Sequence, residues 1–261
     1  MADREKILRF FRSGGDEELA AKLLDLAENV QKSRKFKVSD FLDPHGLSVA
    51  EIVAANVGNI KVEVNGGFMN AERVKAAFVS EDFFGKPDFA IECFQVEWDK
   101  RYYTLAHRDI LGAFMALGCK REILGDIIFI PAGAHFAAAD AVETYVTSNL
   151  PQIGAAPISL KTIEQALLQQ KEEQVKVISA TVAALRLDAV AAAGYGVSRS
   201  RMADEIKSQN VKVNWKEAKN AAQAVNQGDI ISFRSRGRVE VAEIRGTTKK
   251  GRISVTLKRY I

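Results

Sequence analysis

A chain of 261 residues, 47% hydrophobic and 27% charged, is long enough to bury its own core and ordinary in composition for a globular protein. That excludes a fibre, a disordered chain and a disulfide-framed mini-domain, the last because Cys93 and Cys119 are the only cysteines. The net charge of +4 divides unevenly: from Arg186 onward 16 Lys+Arg stand against 7 Asp+Glu, while the first 185 residues hold 21 against 26.

The start, MADREKILRF, carries charge where a leader needs an apolar run. No stretch approaches the roughly 18 uncharged apolar residues of a membrane helix, so a cytoplasmic chain without a membrane partner is expected. Residues 1–80 read as a mainly helical region. Leu19, Leu23, Leu24 and Leu26 recur at near-helical spacing, and LSVAEIVAAN suits a second amphipathic helix. Ser39 or Asp40 is placed to cap a short turn before Asp43-Pro44. KVEVNGG alternates like a strand, and a further helix is expected from Asn70 to Val79.

Residues 81–160 read as an α+β module. FAIECFQVEW and RYYTLA suggest two strands around Asp99-Lys100, and HRDILGAFMALG a helix with Asp109 near its start and Gly118 at its end. GDIIFIP is a short buried strand, FAAADAVETYVTSNL a helix ending before Pro151, and PISL a last strand. The expected result is a sheet covered on one face by two helices. Residues 161–184 read as a polar, mostly helical connector followed by the strand VKVISATVAAL. Residues 185–261 form the basic module: a helix from Arg186 that Gly194 stops, a helix capped by Ser198, the strand VKVNW, then GDIISFR and a long final hairpin.

A basic segment on an acidic body suits a polyanionic partner, though a solvated basic surface explains the charge equally well. Arg199 and Arg201 open a helix, where unpaired N–H groups already carry partial positive charge. A phosphate would relieve that repulsion; the alternative is an Arg201–Glu205 pair worth about 0.2–0.5 kcal/mol. Ser200, Lys207, Lys212, Asn214 and Lys216 extend this surface, with Lys212 and Asn214 alternating away from Val211 and Val213. Arg234, Arg236 and Arg238 alternate on an extended segment, and Lys249, Lys250 and Arg252 sit in a turn. Each cluster is either a further contact for that polyanion or a solvated face opposing edge aggregation. Exposed aromatics are scarce in this module, which favours structured RNA held through phosphates over stacked single strands.

Catalytic signals are weak. His107-Arg108-Asp109 spells a kinase catalytic loop, but no Gly-rich loop or D-F-G accompanies it. His45, His107 and His135 lack metal-ligand spacing, and Cys93 and Cys119 read as buried inert thiols. No catalytic residue, metal site or cofactor is expected. An enzyme anchored to RNA by its C-terminal module remains the alternative, as does an adaptor for an acidic protein.

RLD, SRSRMADEIKSQNVKVN, GDIISFR and TKKGR, in that order, resemble the S4 type of RNA-binding domain. FLDPHG, GGFMNAERVKAAF, TLAHRDILGAFMALGCKREILGDI and VSRSRMADEIKSQNVKVNWK resemble the YlmH family along nearly the whole chain. The resemblance implies a multi-domain α+β chain: a helical N-terminal part, a small RRM-like or ferredoxin-like central domain, and a C-terminal S4 (alpha-L) domain. It implies a monomer binding ribosomal RNA of the large subunit, with tRNA as a second candidate, acting in quality control of stalled ribosomes, with a link to cell division. It also assigns the helix–turn–strand surface around Arg199–Lys216 to RNA, and gives His107 and Arg108 either an RNA contact or a plain helix start. Where the family has Gly in the turn before VKVN, this chain has Asn210, which is expected to adopt the left-handed conformation.

Overall fold

The computed structural model describes residues 4–12, 14–169, 175–234, 236–248 and 251–260. Two compact units divide between Lys171 and Glu172.

The first unit begins with α1 (Arg4–Arg12), α2 (Glu17–Ser33), β1 (Phe36–Leu42), α3 (Pro44–Val57), β2 (Ile60–Asn65) and β3 (Val74–Ser80). The strands form a sheet in the order β1-β3-β2, and both neighbours run antiparallel to β3. Leu23, Leu24, Ala27 and Val30 of α2 and Val49, Ala50 and Val53 of α3 pack on it with Phe78. Asp43 caps α3, its carboxylate accepting from Gly46 N at 2.8 Å, and Pro44 fills the first turn, where a missing N–H costs nothing. Two expectations give way. Ser39 and Asp40 lie inside β1 rather than in a turn, and Val74–Ser80 is a strand where a helix was expected. Every residue of β3 is buried, so it lacks the alternation that marks a strand, and its alanines favour a helix on propensity alone.

The rest of this unit is β4 (Ile91–Glu97), α4 (His107–Ala116), β5 (Leu124–Ile130), β6 (Gly133–Ala139), α5 (Glu143–Asn149), the short hairpin β7 (Gln152–Ile153) and β8 (Ala156–Pro157), and β9 (Ser159–Ile163). The sheet order is β5-β6-β4-β9 with every pair antiparallel, the RRM-like arrangement. The helices α4 and α5 cover one face, where Phe94 stacks on Phe136 at 4.8 Å and Phe114 meets it edge-on at 5.0 Å. Such ring pairs add about 0.5–1.5 kcal/mol each beyond area burial. Phe136–Ala139, expected at the head of a helix, instead completes the strand β6, buried on both faces like β3. RYYTLA is a loop, and β9 runs through Ile163 into a single 3-10 turn at Gln165–Leu167, so the helix expected in the connector is absent from the described residues.

The second unit is β10 (Val175–Val182), α6 (Leu187–Tyr195), α7 (Arg199–Lys207), β11 (Val211–Val213), β12 (Lys216–Glu217), β13 (Ile230–Phe233), β14 (Gly237–Thr247) and β15 (Ile253–Tyr260). Six antiparallel strands lie in the order β10-β15-β14-β13-β11-β12. Leu187, Val190 and Ala191 of α6 and Met202 and Ile206 of α7 close a core over Val211, Ile231, Val239, Val255 and Leu257. Gly194 lies within α6 and does not stop it; Gly196, at φ 66°, supplies the left-handed cap that turns the chain into α7.

Candidate nucleic-acid interface

Burial of Met202 and Ile206 fixes which side of α7 meets solvent. Ser198 caps the helix as expected, its hydroxyl accepting from Arg201 N at 3.2 Å, and Arg199 and Arg201 project from the exposed first turn. Beneath them sits a carboxylate whose role the sequence reading missed. Asp188, only 6% exposed at its side chain, receives Arg199 Nε at 3.0 Å and an Arg186 terminal nitrogen at 2.9 Å on the same oxygen. Burial opposes ionisation of Asp188, but the hydrogen bonds from Arg186 and Arg199 outweigh it and hold its carboxyl below the usual range. The RLD triplet carried this signal, since an acid two residues from an arginine on a buried helix start needs a cationic partner.

Arg252 reaches the same place from the head of β15. It donates to Thr181 Oγ1 at 3.2 Å and to Thr181 O at 2.7 Å. With Arg199 it lines a shallow concavity of about 410 Å³ floored by Ala189, Ala192, Ala193 and Val197. Arg201 Nε stands 4.0 Å from the Glu205 carboxylate, the outer limit of an ion pair, so the i,i+4 pairing is present but weak. Two guanidiniums, of Arg186 and Arg199, therefore share one buried carboxylate; Arg252 joins Arg199 along the concavity, and Arg201 leaves the same first turn two residues further on. Asp188 orients two of them while Arg199 keeps 50% of its side-chain surface exposed. Fixed, incompletely neutralised arginines beside a helix N-terminus suit a multidentate oxyanion such as phosphate.

The remaining predicted cations do not share that surface. Lys212 faces away from the core and stands in a cross-strand row with Ser232, Arg238 and Tyr260. Arg238 lies over the Tyr260 ring at 5.5 Å. Lys216 pairs with Val213 and so takes the other face from Lys212. Lys207 is exposed at the far end of α7, and Ser200 Oγ is 3.2 Å from Ser198 Oγ. Arg234 and Arg236 lie in the turn between β13 and β14, not on an extended strand; Arg234 N bonds Asn210 O, and Arg236 stacks on Phe233 at 5.5 Å. Asn214 is structural: with Trp215 it forms a two-residue turn at positive φ, donates to Asp229 Oδ1 at 2.9 Å and accepts from Ile230 N at 2.9 Å. The left-handed residue before β11 is Gln209, at φ 58°, while Asn210 instead donates to Glu205 Oε2 at 2.8 Å. Lys249 and Lys250 lie outside the described residues.

In the first unit, His107 and Arg108 are exposed at the start of α4, and Asp109 accepts from Ala106 N at 2.8 Å, bracing the first turn as a plain helix start requires. His135 is buried, and burial lowers its pKa; its Nδ1 accepts from Gln169 N at 3.1 Å. The concavity of about 580 Å³ beside Gly67 is lined by Phe68, Met69, Gln165, Ala166 and Leu168, none of them a proton-transfer group.

Known proteins match these parts in the same order. Residues 15–83 match the family model "YlmH, N-terminal", 85–166 match "Putative RNA-binding domain in YlmH", and 185–231 match "S4 domain". The ribosome-associated protein quality control protein P2 of Bacillus subtilis (strain 168) is 33% identical over 231 residues, 88% of this chain and 90% of that one. The chain belongs to the YlmH family. A solved structure, the cell division protein YlmH from Streptococcus pneumoniae, is similar in fold, with a TM-score of 0.50 and 22% identity over 59% of this chain and 95% of that one.

The YlmH motifs now have physical meanings. GGFMNAERVKAAF is a strap, residues 66–73, running into β3; the strap closes the second face of the central sheet. Gly67, at φ 85°, lies where a Cβ would stand 2.9 Å from Ala137 Cβ, and Phe68 packs with Phe41, Ile128 and Ala137. Asp126 of β5 accepts from Glu72 N at 2.6 Å and Arg73 N at 3.2 Å. Arg73 donates to Leu124 O at 3.0 Å and Phe41 O at 2.8 Å, and the buried Lys75 donates to Phe89 O and Ala90 O. In this chain the S4 motif SRSRMADEIKSQNVKVN is the capped helix and strand that carry Arg199 and Arg201.

Proposed function

We propose that this chain is a non-enzymatic RNA-binding protein of the ribosome. Its S4 domain grips the sugar–phosphate backbone of structured RNA through Arg186, Arg199, Arg201 and Arg252. The observation that carries this reading is the arginine cluster at the start of α7, oriented by the buried Asp188 and left partly exposed. Backbone contacts of this kind position a protein on folded RNA without reading sequence. The relative from Bacillus subtilis, named for ribosome-associated quality control, supports a ribosomal partner; within that reading ribosomal RNA of the large subunit is proposed first and tRNA second. The protein acts as a monomer in the cytoplasm, where no helix of its described residues is long and apolar enough to cross a membrane.

Sedimentation of a cell extract through sucrose tests this. The chain is expected to travel with the large ribosomal subunit and to be released by high salt or ribonuclease. Its presence at the top of the gradient with intact subunits below would contradict the reading. An adaptor for an acidic protein would instead give a co-sedimenting complex that ribonuclease leaves whole.

A further inference from the structure

RRM-like sheets read nucleic acid on the face opposite their helices, by stacking bases on exposed aromatic rings. That route is closed here. Cys93, His135 and Ala137 of that face are buried, and the strap with Gly67 and Phe68 lies over it. A rigid aromatic and basic surface stands instead at one end of the same domain, in the loop between β4 and α4.

The loop is built to hold one ring outward. Trp98 is buried and donates from Nε1 to Tyr103 O at 3.2 Å. The amides of Tyr102 and Tyr103 both bond Asp99 O, at 3.2 and 3.0 Å, and Arg101 N bonds Asp99 Oδ1 at 3.0 Å. Lys100 Nζ donates to Ile130 O at 2.7 Å and lies 5.2 Å from the Trp98 ring, tying the loop to the end of β5. Tyr102, between these anchors, is 75% exposed, with the Arg101 guanidinium 5.5 Å from its ring centroid and held there by Asp99 Oδ2 at 2.6 Å, while the Arg101 side chain stays 80% exposed. Arg108 projects from α4 just after the loop. A largely solvated tyrosine on a turn with this many internal bonds adds nothing to the core. It does offer a pre-ordered stacking face at little entropic cost, flanked by cations.

We propose that this loop is a second RNA contact, in which Tyr102 stacks on an unpaired base while Lys100, Arg101 and Arg108 meet the adjoining phosphates. The proposal rests on the RNA-binding reading above and adds to it a preference for folded RNA that presents an unstacked nucleotide. Stacking on an aromatic side chain is worth about tenfold in affinity per base.

The test uses the full chain and two RNA probes at one salt concentration: a hairpin with an adenosine loop, and a blunt duplex of the same stem. The intact protein is expected to prefer the hairpin. Tyr102→Ala is expected to lower hairpin affinity about tenfold, leave duplex affinity unchanged and abolish ultraviolet crosslinking at this loop. Tyr102→Phe, which keeps the ring and loses the hydroxyl, is expected to bind like the intact protein. Circular dichroism identical to that of the parent removes misfolding as a cause. Unchanged hairpin affinity for Tyr102→Ala would overturn the proposal, as it would if the loop bound protein instead. Were Arg199→Ala with Arg201→Ala then still to weaken both probes, the broader reading would stand without it. Failure of the intact protein to bind either probe would remove both.

Discussion

Two aspartates show how local balance sets the charge available at each site. Asp126 sits half-buried under the strap, and desolvation raises its pKa against two backbone N–H bonds that lower it. Asp188 is buried, but two guanidiniums bind it and its pKa falls. Their effects on stability have opposite signs. Asp188 contributes stability above the ordinary aspartate value of about 3.9, and that stability is lost as pH falls through its lower folded value. Asp126 contributes most below that ordinary value and loses its contribution as pH rises through its higher folded value. Carboxyl carbon shifts followed by NMR are expected to give Asp126 a midpoint above that of Asp188; the reverse order would contradict this balance. Asp188→Asn is expected to destabilise the second unit by about 1–3 kcal/mol in urea unfolding at neutral pH, because two charged donors lose their acceptor.

At the scale of elements, the strap decides what the central sheet is for. Gly67 approaches Ala137 so closely, and at so positive a φ, that a methyl group strains the backbone as well as the contact. Gly67→Ala is expected to cost about 1–3 kcal/mol and to speed hydrogen exchange in β6. Unchanged exchange there would mean that the strap does not cover the sheet. The strands that sequence reasoning mistook have one cause. In β3 and β6 both faces are buried, so Val74–Val79 and Phe136–Ala139, both expected to be helical, show apolar runs rich in alanine instead of alternation. RYYTLA failed in the opposite direction: its aromatics suggested a strand, but Tyr103 serves to anchor Trp98. Helix caps were legible because they are local. Ser198 and Asp109 each act within three residues, whereas the cap before α3 was expected at Ser39 or Asp40 and is Asp43. The site was legible in part. Arg199 and Arg201 follow from the cap and the charge, whereas Arg252 and Asp188 join them only through contacts distant in sequence. The separation of Lys212 from Lys216 depended on a two-residue turn whose register the alternation of VKVNW did not reveal.

At the scale of the whole molecule, charge and structure divide together. The second unit carries its own core and the arginine cluster, while the first holds the acidic majority of residues and the stacking loop. Residues 172–261 expressed alone are therefore expected to fold cooperatively and to keep most of the salt-sensitive affinity for RNA; loss of binding in a folded fragment would assign that affinity to the first unit. The central claim is that exposed guanidiniums around Asp188 replace counterions on an RNA backbone. The dependence of RNA affinity on salt, measured for the intact chain and for Arg199→Ala with Arg201→Ala, tests it most directly. The account predicts weaker binding to every RNA tried and a logarithmic salt slope shallower by about 1.5–2 in the double variant. A slope and affinity unchanged in a folded variant would contradict it.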